Sequence, residues 1–277
     1  MDDHEITREL AAAIGVPDTI DALAPLIELA PELVEWSING DADPRGTLRI
    51  SAWTKDRTRA AAAMAKLAPD HVSVRERLLG DDFEGIGLAL REHAPASVRW
   101  WALTDDGVAM AERAHESWPE HAAEIDTLLA AAGGPHACTA VGIETSPAHQ
   151  RRTVYVRLAD PTIAVRVLEL AGVVVTRATN LFWKGICGLE PGGREWPKVW
   201  AGRSFGSDSG WKFYYFARGD ELRRTDEVLL EAVQAGPALR RGWACVRAAT
   251  GGPCVQLLGL TIRPDVAPAF TAYLARI

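Results

Sequence analysis

A pair of strand-like runs followed by a helical run recurs along the whole chain, and this order of elements restricts the fold more than any single motif. The unit returns about every 50–60 residues with little repetition of sequence. Residues 33–38 and 47–53 read as strands around the turn Asn39-Gly40-Asp41-Ala42-Asp43-Pro44-Arg45-Gly46, with a helix at 56–67. A helix-like stretch at 82–93 leads into a strand at 97–103, and a helix follows at 119–132. Residues 136–143 and 151–158 pair through Ser146-Pro147 and run into a helix at 161–171. Strands at 181–189, 199–205 and 211–217 precede a helix at 222–235. Residues 243–248 and 254–262 read as the last hairpin, and 267–277 as a terminal helix. A helical run at 5–29, broken at Pro17, opens the chain.

Hairpins are antiparallel, so the helices between them must cover one face of a shared sheet. A sheet of eight to ten strands curls or closes. No Gly/Ser/Pro-rich linker divides the chain. Residues 1–277 are therefore expected to form a single α+β domain, an antiparallel β-barrel of about ten strands surrounded by helices. The inward strand faces would line a lumen.

Those faces carry the chemical signal. Successive strand residues point to opposite sides. In 151–158, Val154, Val156 and Leu158 share one face, while Thr153, Tyr155 and Arg157 share the other. In 47–53, Arg49, Ser51 and Trp53 oppose Leu48, Ile50 and Ala52. In 97–103, Arg99 and Trp101 oppose Val98, Trp100 and Ala102. In 211–217, Lys212, Tyr214 and Phe216 oppose Trp211, Phe213 and Tyr215. If the sheet closes, Arg49, Arg99, Lys212 and one of Arg157, Arg151 or Arg152 converge, with Tyr155 and Tyr214 among them. Cations gathered in one low-dielectric cavity repel, so such a cavity calls for an anion. Arg and Lys donors match phosphate oxygens, and a diphosphate would suit. No Walker glycine loop is present, which excludes a nucleotide held in P-loop fashion.

The chain has ten tryptophans. Trp36, Trp100 and Trp211 read as core, whereas Trp53 and Trp101 share the cation face. Aromatic walls beside an anion site suit a ligand with an anionic head, an apolar tail and a developing carbocation. The formal net charge of −7 argues against a general nucleic-acid binder but leaves room for a local cationic pocket. No apolar run reaches the ~20 residues that cross a bilayer, and the acidic N-terminus lacks a leader pattern. Cys138, Cys187, Cys245 and Cys254 are scattered and read as reduced thiols. A cytoplasmic monomer with no nucleic-acid or membrane partner is expected.

Taken in order, Glu35-Trp36-Ser37-Ile38, Thr47-Leu48-Arg49-Ile50-Ser51, Arg99-Trp100-Trp101-Ala102-Leu103, Arg152-Thr153-Val154-Tyr155, Lys212-Phe213-Tyr214 and Leu257-Leu258-Gly259-Leu260-Thr261-Ile262-Arg263-Pro264 resemble the ABBA (PT-barrel) aromatic prenyltransferases. The resemblance covers most of the chain. It implies transfer of an isoprenoid group from an allylic diphosphate, dimethylallyl or geranyl, to an aromatic acceptor that is indole-like or otherwise electron-rich. It maps the diphosphate site onto Arg49, Arg99, Tyr155 and Lys212, to which strand alternation adds Arg157 and Tyr214, and it maps the proton acceptor onto Glu35. The prenyl and acceptor pocket would comprise Trp53, Trp101, Lys184, Gly188, Phe216, Gln256 and Leu258. Magnesium-dependent members carry an Asp where Arg49 stands, so the resemblance implies the metal-independent branch, with no cofactor and no Mg2+ requirement. The chain departs from the family at Thr153, Trp101 and Leu258, where relatives have Lys, Tyr and Tyr. Two other readings stand beside this one: a non-catalytic barrel for a hydrophobic anionic ligand, and a partner-binding domain of a biosynthetic cluster.

Overall fold

The computed structural model describes residues 2–15, 20–29, 31–39, 48–79, 83–91, 94–146, 150–173, 183, 198–206, 209–217, 225–263 and 266–276. Ten strands form one closed antiparallel barrel. They are β1 (Leu33–Asn39), β2 (Leu48–Thr54), β3 (Glu84–Arg91), β4 (Ala94–Leu103), β5 (Cys138–Thr145), β6 (Gln150–Leu158), β7 (Val199–Gly206), β8 (Gly210–Phe216), β9 (Val255–Arg263) and β10 (Val266–Ala275). Each strand pairs with its neighbours in sequence, and the seam is closed by the first and last, with Glu35 opposite Ala275 and Asn39 opposite Thr271.

Helices sit before each hairpin. The described ones are α1 (Asp3–Ile14), α2 (Ile20–Ile27), α3 (Arg57–Leu67), α4 (Val72–Leu78), α5 (Gly107–Ser117), α6 (Ala122–Ala131), α7 (Pro161–Leu170), α8 (Asp226–Ala232) and α9 (Pro237–Thr250). Their starts are written locally. Asp56, Asp106, Asp160 and Thr225 each accept a hydrogen bond from a backbone N–H of the first turn, supplying partners that the helix itself cannot. The faces they bury are apolar or small, such as Ala60, Ala63 and Met64 in α3 and Met110, Ala111 and Ala114 in α5.

The main core lies between these helices and the outward strand faces. Trp36, Ile86, Trp100, Val141, Val154, Phe213, Leu258 and Leu260 are all fully or almost fully buried there. Two outward tryptophans find partners for their indole N–H. Trp36 donates to Thr7 Oγ1 at 2.7 Å, and Trp100 donates to Glu84 Oε2 at 2.9 Å. Glu84 is in turn held by two Arg75 nitrogens at 2.7 Å each. A buried ion pair of this bidentate kind is tolerable because every oxygen has a donor.

Three expectations are corrected. Residues 84–91 form a strand, not part of a helix; residues 266–275 form strand β10, not a terminal helix; and residues 243–248 lie within α9 rather than in a strand. In α9 the Trp243 indole donates to the buried Asp226 carboxylate, which also accepts from the Cys254 and Val255 backbone N–H groups. Helix α5 was not expected. The strand expected at 181–189 lies outside the described residues apart from Trp183. Cys138, Cys245 and Cys254 are free thiols. Among the described residues no helix is long and apolar enough to cross a membrane.

Candidate functional site

The register fixes which side chains share the lumen. Arg49 and Ser51 on β2 stand opposite Ser37 and Glu35 on β1; Arg99 on β4 stands opposite Glu144 on β5; and Glu144 stands opposite Arg151 on β6. Small residues make room between the large ones. A Cβ on Gly85 would lie 2.5 Å from the Trp53 ring, one on Gly142 2.7 Å from Trp101, one on Gly202 2.9 Å from Tyr155, and one on Gly259 2.6 Å from Lys212 Cε. Each of these four bulky lumenal side chains thus lies close over a glycine of an adjacent strand. The barrel therefore holds aromatics and cations without filling up.

The lumen has two chambers. The first, about 50 Å³, is polar and includes Arg49, Arg99, Arg151, Lys212 and Arg263 in its wall, with Glu144 as its one carboxylate among the described residues. The second, about 170 Å³, is mostly apolar and includes Trp53, Phe83, Leu103, Trp200, Phe216 and Leu257, with Glu35 as its one carboxylate among the described residues. Arg49, Arg99, Trp101, Tyr155 and Tyr214 border both, so they form the boundary.

In the polar chamber Arg99 donates to Glu144 Oε1 at 2.6 Å, Ser97 donates to the same oxygen at 2.9 Å, and Arg151 donates to Oε2. Burial alone would raise the Glu144 carboxyl, but Arg99, Arg151 and Arg49 outweigh it and hold the group well below the usual carboxylate range. Lys212 donates to Tyr273 Oη at 2.6 Å and lies 4.9 Å from the centre of that ring. Burial, then Arg49, Arg99 and Arg151, push its ammonium well below the ordinary lysine range. Burial and Arg99 lower the Arg49 guanidinium to about 10, which leaves it charged at neutral pH. Nε of Arg49 and Nε of Arg99 are buried without a partner among the described residues. Buried donors are normally satisfied, so two orphaned guanidinium N–H groups in one cavity mark a place for an acceptor.

The second chamber is built from stacked rings. Trp53 lies 5.4 Å from Trp101 and 6.3 Å from Phe83, both stacked, and Trp101 donates its indole N–H to Tyr155 Oη at 3.1 Å. Tyr155 lies 5.8 Å from Tyr214, which lies 6.1 Å from Tyr273. Glu35 is 5% exposed, and burial raises its carboxyl to about 8 against the opposing pull of Lys212. Nε1 of Trp53, Nε1 of Trp200 and Oε1 of Gln256 are also buried without partners among the described residues.

Most of the residues expected from sequence meet here: Glu35, Arg49, Trp53, Arg99, Trp101, Tyr155, Lys212, Tyr214, Phe216 and Gln256 all line one chamber or both. Three do not. Arg157 is exposed at the far end of β6 and lines neither chamber; Arg151, on the same strand face six residues earlier, brings the charge into the polar one. Arg152 points outward to Glu120 at 2.6 Å. Leu258 faces the helices, and its neighbour Leu257 lines the lumen in its place. Lys184 and Gly188 lie outside the described residues. Sequence reading missed Glu144, Trp200, Leu257 and Tyr273. Alternation extended past Ile143 would have found Glu144, since it shares a face with Gly142. Among the described residues no group of three or more His, Cys, Asp or Glu is placed to hold a metal ion.

No protein-family model matches the chain, and no curated protein matches it. Among solved structures it is similar to 5-dimethylallyltryptophan synthase from Streptomyces coelicolor, with a TM-score of 0.79 and 18% identity over 99% of this chain and 96% of that one. A 5-dimethylallyl tryptophan synthase from the same organism in complex with DMASPP and Trp gives a TM-score of 0.75 and 17% identity, over 99% and 93%. The 6-dimethylallyltryptophan synthase from Micromonospora olivasterospora, in complex with DMASPP and Trp, gives 0.75 and 18%, over 99% and 96%. At these identities the likeness is one of architecture: the chain has the ABBA (PT-barrel) prenyltransferase fold.

Proposed function

We propose that the protein is an aromatic prenyltransferase that moves a dimethylallyl or geranyl group from its diphosphate to an indole-like or other electron-rich acceptor, without Mg2+. The observation that carries this reading is the contact of a cationic chamber with an aromatic one across Arg49, Arg99, Trp101, Tyr155 and Tyr214. The solved structures with DMASPP and Trp add to it. The diphosphate would occupy the polar chamber, where Arg49, Arg99, Arg151 and Lys212 stabilise the charge that grows as the allylic C–O bond breaks and its electron pair leaves with the diphosphate. Fixed cations replace a metal ion in that role. The allylic carbon then lies at the boundary, where ring faces stabilise its positive charge and keep water out. The acceptor ring in the second chamber forms the new bond through its own electron pair, and Glu35 takes the proton that the ring gives up. The reading takes residues 1–277 as one such domain, acting as a cytoplasmic monomer on a small-molecule or peptide acceptor.

The test is incubation with dimethylallyl or geranyl diphosphate and a panel of aromatic acceptors in the presence of EDTA, with product followed by mass. A prenylated product is expected. Arg49→Ala should lower kcat/KM by about 100-fold or more while leaving the melting temperature near wild type, the scale on which loss of one preorganised charge-stabilising group acts. Diphosphate binding without product from any acceptor would favour the binding barrel, and full activity of Arg49→Ala would remove the diphosphate from this chamber.

A further inference from the structure

Glu144 is at odds with the chamber that holds it. A cavity built to hold an anion gains nothing from an anion of its own, yet this carboxylate is 8% exposed and stands at the centre of the cationic wall. Its position is not a rotamer accident. Arg99, Glu144 and Arg151 are directly opposed residues on three successive strands, so the register of β4, β5 and β6 sets them in a row. Ser97 adds a third donor to the same carboxylate. Arg99 spends one terminal nitrogen on Glu144 and keeps a buried Nε without a partner among the described residues. A ligand oxygen therefore reaches Arg99 only beside the carboxylate or by replacing it.

We propose that Glu144 is a built-in counter-ion that competes with the diphosphate for Arg99 and Arg151, and so weakens retention of the diphosphate released by the reaction. The inference rests on the function proposed above. In the empty barrel the carboxylate neutralises part of a charge cluster that would otherwise repel itself. With ligand bound, it places a like charge beside the phosphate oxygens and offsets the pull of the surrounding cations. Substrate keeps its hold through the apolar tail in the second chamber. Product diphosphate has no tail and feels the counter-ion in full. Release of a highly charged product from a buried cationic site is a natural slow step, and this residue acts on it.

The experiment is calorimetric titration of inorganic diphosphate into the wild type and into Glu144→Gln, which keeps the shape and loses the charge. The variant is expected to bind at least tenfold more tightly, and the ratio of its steady-state turnover to its first-turnover rate to fall below that of wild type. A wild type that does not bind diphosphate overturns the functional assignment itself. A wild type that binds, with a variant that binds equally or less tightly, overturns the counter-ion role alone. Should the variant be too unstable to titrate, melting with and without diphosphate decides: a larger diphosphate-induced rise in Tm than in wild type supports the role, and an equal or smaller rise refutes it. A purely structural role for Glu144 would lower both melting temperatures without enlarging the diphosphate increment.

Discussion

The two carboxylates that line the lumen among the described residues show how surroundings divide labour between identical groups. Glu144 faces cations and is held ionised, whereas Glu35 faces apolar walls and is raised to about 8. A base must be ionised to act, so kcat/KM should climb with pH and level off above about 8. Glu35→Gln should lose that limb and fall in rate by about 100-fold or more. The same shift has a consequence for stability. The folded-state value lies above the unfolded 4.5, so Glu35 costs nothing below about 4.5, and stability is lost as pH rises through about 8. Glu35→Gln should therefore melt like wild type near pH 4 and at a higher temperature near pH 9. Equal melting at both pH values would mean that Glu35 is hydrated in the folded protein. Glu35 is legible in the sequence only through the family resemblance, as the glutamate of the first strand. Alternation puts Glu144 on the face of Gly142, but its meaning depends on Arg99 and Arg151, which reach it only through cross-strand pairing.

At the scale of elements, the glycines of one strand seat the rings and cations of the next. Gly85→Ala would drive a methyl into the Trp53 ring, and Gly259→Ala would drive one into the Lys212 stem. Each should cost about 1–3 kcal/mol, read by denaturant melts, as overpacked sites do. Their functional effects should separate: Gly85→Ala should raise KM for the acceptor and leave diphosphate binding unchanged, and Gly259→Ala should do the reverse. The same seating explains why β3 was illegible. Its inward residues are Gly85, Gly87 and Ala89, so a strand that alternates perfectly shows no polar face to a reader of polarity. In β10 the alanines at 267, 269, 272 and 275 imitate helix propensity, while Tyr273 and Leu274 are sorted between lumen and core only by pairing with β9 and β1. Strands with a bulky polar face, β2, β4, β6 and β8, were read correctly because their lumenal side chains are the ones that need a seat elsewhere. Arg157 misled for a different reason: alternation gives the face of a strand but not how far along it the cavity extends.

For the whole molecule, closure and chemistry depend on the same seam. β10 completes the barrel by pairing with β1 on one side and β9 on the other, and from its inward face Tyr273 and Thr271 accept hydrogen bonds from Lys212. A chain ending at Arg263 would keep nine strands and both carboxylates but leave β1 and β9 with open edges. Exposed edges of that length recruit other chains, and the lumenal cations would face water instead of a dry cavity. Such a truncation should show no cooperative melt, bind hydrophobic dye and lose diphosphate binding altogether. A nine-strand product that melts cooperatively and still binds diphosphate would show that β10 is dispensable to the polar chamber. The expectation against it comes from topology. The strands that hold Arg49, Arg99, Arg151 and Lys212 occupy separate positions around the barrel, and only a sheet rolled shut brings them within reach of one anion. Because that closing contact joins opposite ends of the chain, it carries the largest loop-closure cost in the fold, and folding should be slow and limited by the β1–β10 seam.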